Sequence, residues 1–222
     1  MPELILALDL DKEKEIKEYL DLTKDFLNYY KIGIRSFVKI GPKSVRLIKK
    51  FNKKVFLDLK FFDIPNSMIK AGKNAIDLGV DLLNFHLLNE ESSLKETIKE
   101  LKSYSEKKGK KVLFLGVTLL TSINFKKNIE QRVLKLAKKA RSIGFDGVIC
   151  AGRESKIIKE TLGNDFITAC PGIRFEPVSD DQKRVSAPQR IKKYVDFFIM
   201  GRPILESKDP LKTIKKILRL IR

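Results

Sequence analysis

The sequence predicts an α/β protein built as one (β/α)8 barrel domain, and three observations carry that expectation. Short apolar runs alternate with longer amphipathic, Lys/Glu-rich segments, in eight successive units over 222 residues. The apolar runs are nearly continuous, as parallel strands covered on both faces require. Glycine stands just past several amphipathic segments, where a helix ends most readily. Repeated βα units at this length close into a barrel. A doubly wound open sheet is the alternative; no G-x-G-x-x-G follows the first strand, which removes support for its dinucleotide-binding version.

Taken in order, residues 4–10 read as the first strand and 12–27 as the helix after it. A second short strand covers 30–34, with a helix over 42–51. The third strand spans 55–60, and its helix, 67–78, has Asn66 as a capping residue and stops at Gly79. The fourth unit pairs a strand over 82–87 with a helix over 91–107 that ends before Gly109. The fifth joins 112–118 to a helix over 129–143, ended by Gly144. The sixth has a strand over 147–150 and a helix near 154–162, ended by Gly163. The seventh strand, 166–169, runs through a long polar loop over 175–188 to a short helix over 188–194. The eighth, 197–200, is followed by a closing helix over 210–220. No linker or low-complexity segment divides residues 1–222, so one domain is expected.

Composition narrows the function classes. Hydrophobic residues at 43% and charged residues at 33% describe a soluble globular chain. No apolar run reaches the roughly 18 residues of a membrane span. The start, MPELILALDLD, has no basic leader and is interrupted by Asp9, so no membrane partner and a cytoplasmic location are expected. The net charge of +18 raises the question of nucleic acid. The lysines are spread over nearly every helical segment, however, with acidic neighbours, as in Lys12-Glu13-Lys14-Glu15. Without a zinc-knuckle pattern, an aromatic RNA-binding signature or a basic tail, no nucleic-acid partner is expected, whereas the basic field favours anionic small molecules. Cys150 and Cys170 read as buried free thiols. His86 is the only histidine, and no Cys/His spacing suggests a metal site.

The most informative stretch is Val55-Phe-Leu-Asp-Leu-Lys-Phe-Phe-Asp-Ile-Pro-Asn66. It begins as a buried strand, and strand side chains two apart share a face. Asp58 and Lys60 therefore project together, and Leu57, Leu59 and Phe61 project from the other side. Asp63 follows just beyond the strand, and Pro65 holds Ile64 extended. By itself this is also the pattern of a structural ion pair on an amphipathic strand. In a (β/α)8 barrel, however, the active site lies at the C-terminal strand ends. There Asp58, Lys60 and Asp63 are joined by Asp9, Lys31, His86, Thr118, Thr121 and Ser122. Cys170-Pro171-Gly-Ile-Arg174 and Gly201-Arg202-Pro203 complete the set. Gly201-Arg202 follows strand eight, where barrel enzymes bind phosphate with loop amides and a guanidinium. The loop over 175–188, with Asp180, Asp181 and Gln182, has the length of a lid.

Asp58-Leu-Lys60-Phe-Phe-Asp63-Ile-Pro-Asn resembles the D-x-K-x-x-D-I-P-N signature of the orotidine 5′-phosphate decarboxylase family. Leu6-Ala-Leu-Asp9, Lys31-Ile-Gly33, Thr118-Leu-Leu-Thr-Ser122, Pro171-Gly-Ile-Arg174, Asp181-Gln182 and Gly201-Arg-Pro-Ile204 extend the likeness across the chain, in order and spacing. The resemblance implies decarboxylation of orotidine 5′-monophosphate to UMP, in pyrimidine biosynthesis, by a homodimer with shared sites and neither metal nor organic cofactor. It also implies roles. Asp9 and Lys31 would hold ribose hydroxyls, with Lys31 joining the charged network. Asp58 would lie near the substrate carboxylate, Lys60 would deliver a proton to C6, and Asp63 would reach into the neighbouring subunit. Ser122 would contact the pyrimidine, Gln182, Gly201 and Arg202 the phosphate, and Pro171 and Ser67 would belong to the substrate site. Ser67 stands where many members have Thr, and Leu-Leu-Asn-Glu-Glu follows His86 where the family often has a glycine pair. His86 is therefore expected to be a packed, hydrogen-bonded core residue. The nearest rival is a Mg²⁺-dependent sugar-phosphate decarboxylase resembling the 3-keto-gulonate 6-phosphate enzymes; a non-catalytic nucleotide- or RNA-binding barrel is a more distant one. Ile64-Pro65-Asn66 after the shared core favours the pyrimidine nucleotide.

Overall fold

The computed structural model describes residues 1–122, 128–173 and 186–221. Eight parallel strands close on themselves in chain order: β1 (Glu3–Ala7), β2 (Tyr29–Gly33), β3 (Lys54–Phe61), β4 (Leu82–His86), β5 (Leu113–Val117), β6 (Gly147–Ile149), β7 (Ile167–Cys170) and β8 (Phe197–Met200). Around them run α1 (Glu13–Thr23), α2 (Ile34–Ile40), α3 (Lys43–Lys50), α4 (Pro65–Leu78), α5 (Glu91–Lys107), α6 (Ile129–Ile143), α7 (Gly152–Leu162), α8 (Pro188–Ile191), α9 (Arg202–Leu205) and α10 (Pro210–Ile221).

All eight expected strands form, and the differences lie at element ends. The first ladder stops at Ala7, so Leu8 to Leu10 leave the sheet and carry Asp9 over the mouth. Ile34 starts α2, a helix the periodicity does not announce, and α9 is a second such addition. The segment read as a helix over 188–194 is four α-helical residues followed by a 3-10 turn at Lys192–Tyr194. Asn66 does not cap α4: that helix begins at Pro65, with Ile64 as its extended N-cap residue. Proline suits the first helical position because the N–H it lacks has no intrahelical partner there.

Period-two alternation divides the core in two. Leu4 and Leu6, Val55 and Leu57, and Leu83 and Phe85 pack outward against the helices. Ile5, Phe56, Leu82, Leu115, Ile149, Phe197 and Ile199 fill the barrel interior. Two residues further along the inward face of β3 comes Asp58, above Phe56; on β4 it is Asn84, above Leu82. A charged layer thus rests on an apolar plug. At the opposite end Asp81, Asp146 and Asp196 accept the N–H groups of Val55, Phe114 and Thr168 at 2.8, 2.7 and 2.8 Å, joining adjacent strands where they enter the barrel.

Candidate active site

At the C-terminal mouth four charged side chains, from β2, β3 and the segment just past β1, form one continuous run. Lys31, on β2, places Nζ 3.1 Å from Asp9 Oδ1 and 3.2 Å from Asp58 Oδ2. The other Asp58 oxygen, Oδ1, accepts from Lys60 Nζ at 2.6 Å and from Asn84 Nδ2 at 2.7 Å. Lys31 and Asp58 are buried, while Lys60 is partly open to the cavity. Burial pushes the Asp58 carboxyl up, but the Lys31 and Lys60 charges and the hydrogen bonds from Lys60 and Asn84 outweigh it. The group is held below the usual carboxylate range. Burial likewise pushes the Lys31 ammonium down, and the charges of Asp58 and Asp9 reverse the direction to a net rise. Both groups are therefore ionised at neutral pH.

Local structure explains the arrangement. The β3–β4 ladder pairs Leu57 with Leu83 and resumes only at Phe61 with Phe85, so β3 arches over Asn84. Within the arch Lys60 has φ of 53°, a left-handed conformation rare for a residue with a side chain. Asp9 is held by Ser36 on α2, whose Oγ accepts from Leu10 N at 2.9 Å and lies 2.7 Å from the carbonyls of both Leu8 and Leu10. Gly33 leaves room for the pair: a Cβ there would stand 2.8 Å from Asp9 Oδ1 and 2.9 Å from Lys31 Nζ, so a larger residue would displace the ends of these two side chains.

A cavity of about 780 Å³ opens above this layer. Asp9, Lys31, Asp58 and Lys60 line it, together with Ser122, Pro171, Gly201 and Arg202 from the β5, β7 and β8 ends. Ala7, Val117, Ile149 and Ile199 supply apolar surface between them. The space thus offers ammonium and carboxylate groups together with a glycine and a guanidinium from the β8 end. Among the described residues, no group of three or more His, Cys, Asp or Glu side chains is placed to hold a metal ion.

A family described as orotidine 5′-phosphate decarboxylase / HUMPS matches residues 2–217. The chain belongs to this family. Curated relatives named orotidine 5′-phosphate decarboxylase include one from Carboxydothermus hydrogenoformans, 38% identical over 93% of this chain and 90% of its own. Another, from Sulfurimonas denitrificans, is 39% identical over 99% of this chain and 100% of its own. Among solved structures, the orotidine 5′-phosphate decarboxylase of Lactobacillus acidophilus superposes with a TM-score of 0.83 at 29% identity, covering 100% of this chain and 99% of that one. The fold expected from the sequence is the fold of this family.

Not every expected site residue of this family member meets at the cavity. Asp63 is exposed and does not line it; its Oδ1 accepts from Ile64 N at 2.7 Å, and its carbonyl accepts from Asn89 Nδ2 at 2.8 Å. Ser67, in the first turn of α4, is also outside the cavity lining. Thr118 is buried and turned away, donating to the Ile149 carbonyl at 2.7 Å. Arg174, Asp180, Asp181 and Gln182 lie outside the described residues. His86 is packed and hydrogen-bonded, but at the rim rather than in the core. It is half-buried, with its ring edge-on to Phe62 at 5.9 Å and Nδ1 accepting from Leu88 N at 3.3 Å. Burial, then the Lys60 charge, push its imidazole pKa down. Cys150 and Cys170 are buried free thiols with their sulfurs 3.8 Å apart. Asn84 and Ser36 are the supports that sequence reasoning missed. The available signal for Asn84 was an amide on the inward face of an otherwise apolar strand.

Proposed function

We propose that this chain removes CO2 from C6 of orotidine 5′-monophosphate to give UMP, as a step of pyrimidine biosynthesis in the cytoplasm. The observation that carries the reading is the Asp9–Lys31–Asp58–Lys60 run that lines the cavity. Loss of CO2 leaves an in-plane carbanion that the ring cannot delocalise. A fixed ammonium about 4 Å away stabilises it by roughly 4 kcal/mol at an effective dielectric near 20. Lys60 supplies that charge and then protonates the carbon, while Asp58, with Oδ1 2.6 Å from Lys60 Nζ, aims it. Asp9 and Lys31 hold the ribose, Ser122 and Pro171 border the base, and Gly201, Arg202 and Gln182 take the phosphate. Phosphate binding lies away from the reacting carbon, so its energy orients the substrate.

In this reading the protein works as a homodimer, Asp63 reaching into the neighbouring site. Exposed Phe62 and Ile64 flank Asp63, and exposed Ile34, Val38 and Leu88 follow the adjacent strands β2 and β4. An apolar rim of this kind favours burial against a second copy. The curated relatives' names favour the nucleotide over a sugar phosphate. No metal or organic cofactor takes part in the proposed step. Purified protein in EDTA, mixed with orotidine 5′-monophosphate and followed by ultraviolet absorbance, tests it directly. Loss of the orotate band with appearance of UMP is expected. No turnover by folded protein, or turnover of sugar phosphates only with Mg²⁺, would replace this reading with the rival decarboxylase.

A further inference from the structure

We infer that Asn84 is a positioning residue for the reacting pair, fixing the Asp58 carboxylate and the Lys60 main chain in the arrangement that aims the ammonium into the cavity. This rests on the proposed decarboxylation and adds a residue to it. Asn84 is fully buried, and both ends of its amide are engaged. Nδ2 donates to Asp58 Oδ1 at 2.7 Å, and Oδ1 accepts the main-chain N–H of Lys60 at 2.8 Å. That second bond falls in the arch between Leu57 and Phe61, where β3 leaves its ladder with β4. The Asn84 side chain takes the part there of a strand partner.

The residue type follows from these demands. One side chain must donate to a carboxylate and accept from a peptide N–H at once, without adding charge. An apolar residue does neither and would leave the part-buried Lys60 N–H without this partner. A carboxylate can accept but not donate, and it would set a like charge against Asp58. The amide also braces Lys60 in its left-handed backbone conformation, φ 53°, and so governs where the side chain starts as well as what it meets. The charged groups of this layer are Asp58 and Lys60 from β3, Lys31 from β2 and Asp9 beyond β1, and the titratable His86 follows on its own strand. From β5 it is paired with apolar Leu115.

The test uses the full chain, with Asn84→Ala and Asn84→Asp beside the parent. For Asn84→Ala, kcat should fall about 100-fold, the scale of a misplaced reacting group, with the affinity for UMP measured by calorimetry changed only a few-fold. Asn84→Asp should be impaired at neutral pH and regain activity relative to the parent as pH falls, because a protonated carboxyl restores the donor to Asp58. A merely structural residue would not move the pH profile. A parent-like kcat and profile in both variants would overturn the inference, as would equal losses of kcat and UMP affinity in Asn84→Ala. Should Asn84→Ala not fold, the nearly isosteric Asn84→Asp decides alone, and a parent-like profile overturns the inference. If the parent itself does not decarboxylate orotidine 5′-monophosphate, the functional reading fails separately. The carboxyl ¹³C titration of Asp58 then judges Asn84: a higher apparent pKa in Asn84→Ala upholds the inference, and an unchanged one ends it.

Discussion

Lysine–aspartate pairs occupy both ends of this barrel in different patterns. At the N-terminal end Lys49, Lys102 and Lys159 pair with Asp81, Asp146 and Asp196 at 2.9, 2.8 and 2.6 Å. Each pair is separate, with an ammonium from α3, α5 or α7 and a carboxylate that also accepts a strand N–H. At the C-terminal end the pairs share members: Lys31 serves Asp9 and Asp58, and Asp58 serves Lys31 and Lys60. Ion pairing as such therefore does not mark a site in this molecule. Sharing among strands of the barrel interior, a left-handed lysine and a cavity above do.

The sharpest way to break this contrast is to remove one member from each end. Lys60→Ala should lower turnover of orotidine 5′-monophosphate at least about a thousandfold, the equivalent of roughly 4 kcal/mol, with a parent-like thermal transition. Asp146→Ala should do the reverse. It leaves the Phe114 N–H without its acceptor, at a cost of about 1–3 kcal/mol of stability, while kcat and KM stay at parent values. Kinetics beside denaturant melts check both. Parent-like turnover in Lys60→Ala, or an inactive but stable Asp146→Ala, would erase the distinction between the two ends.

The proposed dimer extends the shared pattern across two chains. Asp63 is exposed at the rim of its own chain, so Asp63→Ala and Lys60→Ala subunits should each be impaired as homodimers. Mixed, they should regain activity through one repaired site per heterodimer. Verified heterodimers with no recovery would confine Asp63 to its own chain. A smaller effect is expected at the part of the cavity lined from the β8 end. Arg202→Ala should raise KM about tenfold to a hundredfold, the range for a lost charge-assisted contact of about 1.5–3 kcal/mol. Added phosphite should then activate a phosphate-free substrate less than it does in the parent. Equal activation would remove Arg202 from the phosphate site.

Much of this was legible in the residues, for reasons that also explain the gaps. Alternation with period two set Asp58 on the interior face with Phe56, the barrel placed Asp9 and Lys31 beside it, and the irregular backbone at Lys60 still brings its ammonium to Asp58. Asn84 was hidden because its meaning lies across the sheet: nothing in Leu-Leu-Asn-Phe-His discloses that β3 arches above it. The helices α2, of 7 residues, and α9, of 4, are too short for a helical period to stand out. Asp63 is near Lys60 in sequence without lining the same cavity, because β3 ends at Phe61 and Asn89 holds the Asp63 carbonyl outside it.

The smallest expected effect concerns acid stability, and its sign follows from the direction of the Asp58 shift. The folded carboxyl titrates below its unfolded value of about 3.9. Its contribution to stability is therefore complete above that value and lost as pH falls through the lower, folded one. Asp58→Asn never has this contribution. The difference in urea midpoint between parent and variant should be constant near neutrality and close as the medium is acidified below about pH 4. Lys31 gives the opposite limb, since its folded value is raised. The gap between parent and Lys31→Met should hold below about pH 10.4 and close as pH rises through the folded value. A gap for Asp58→Asn that stays constant into acid would mean that the carboxylate is not favoured by its two lysines. The shared network would then be a strained arrangement, sustained by the rest of the barrel.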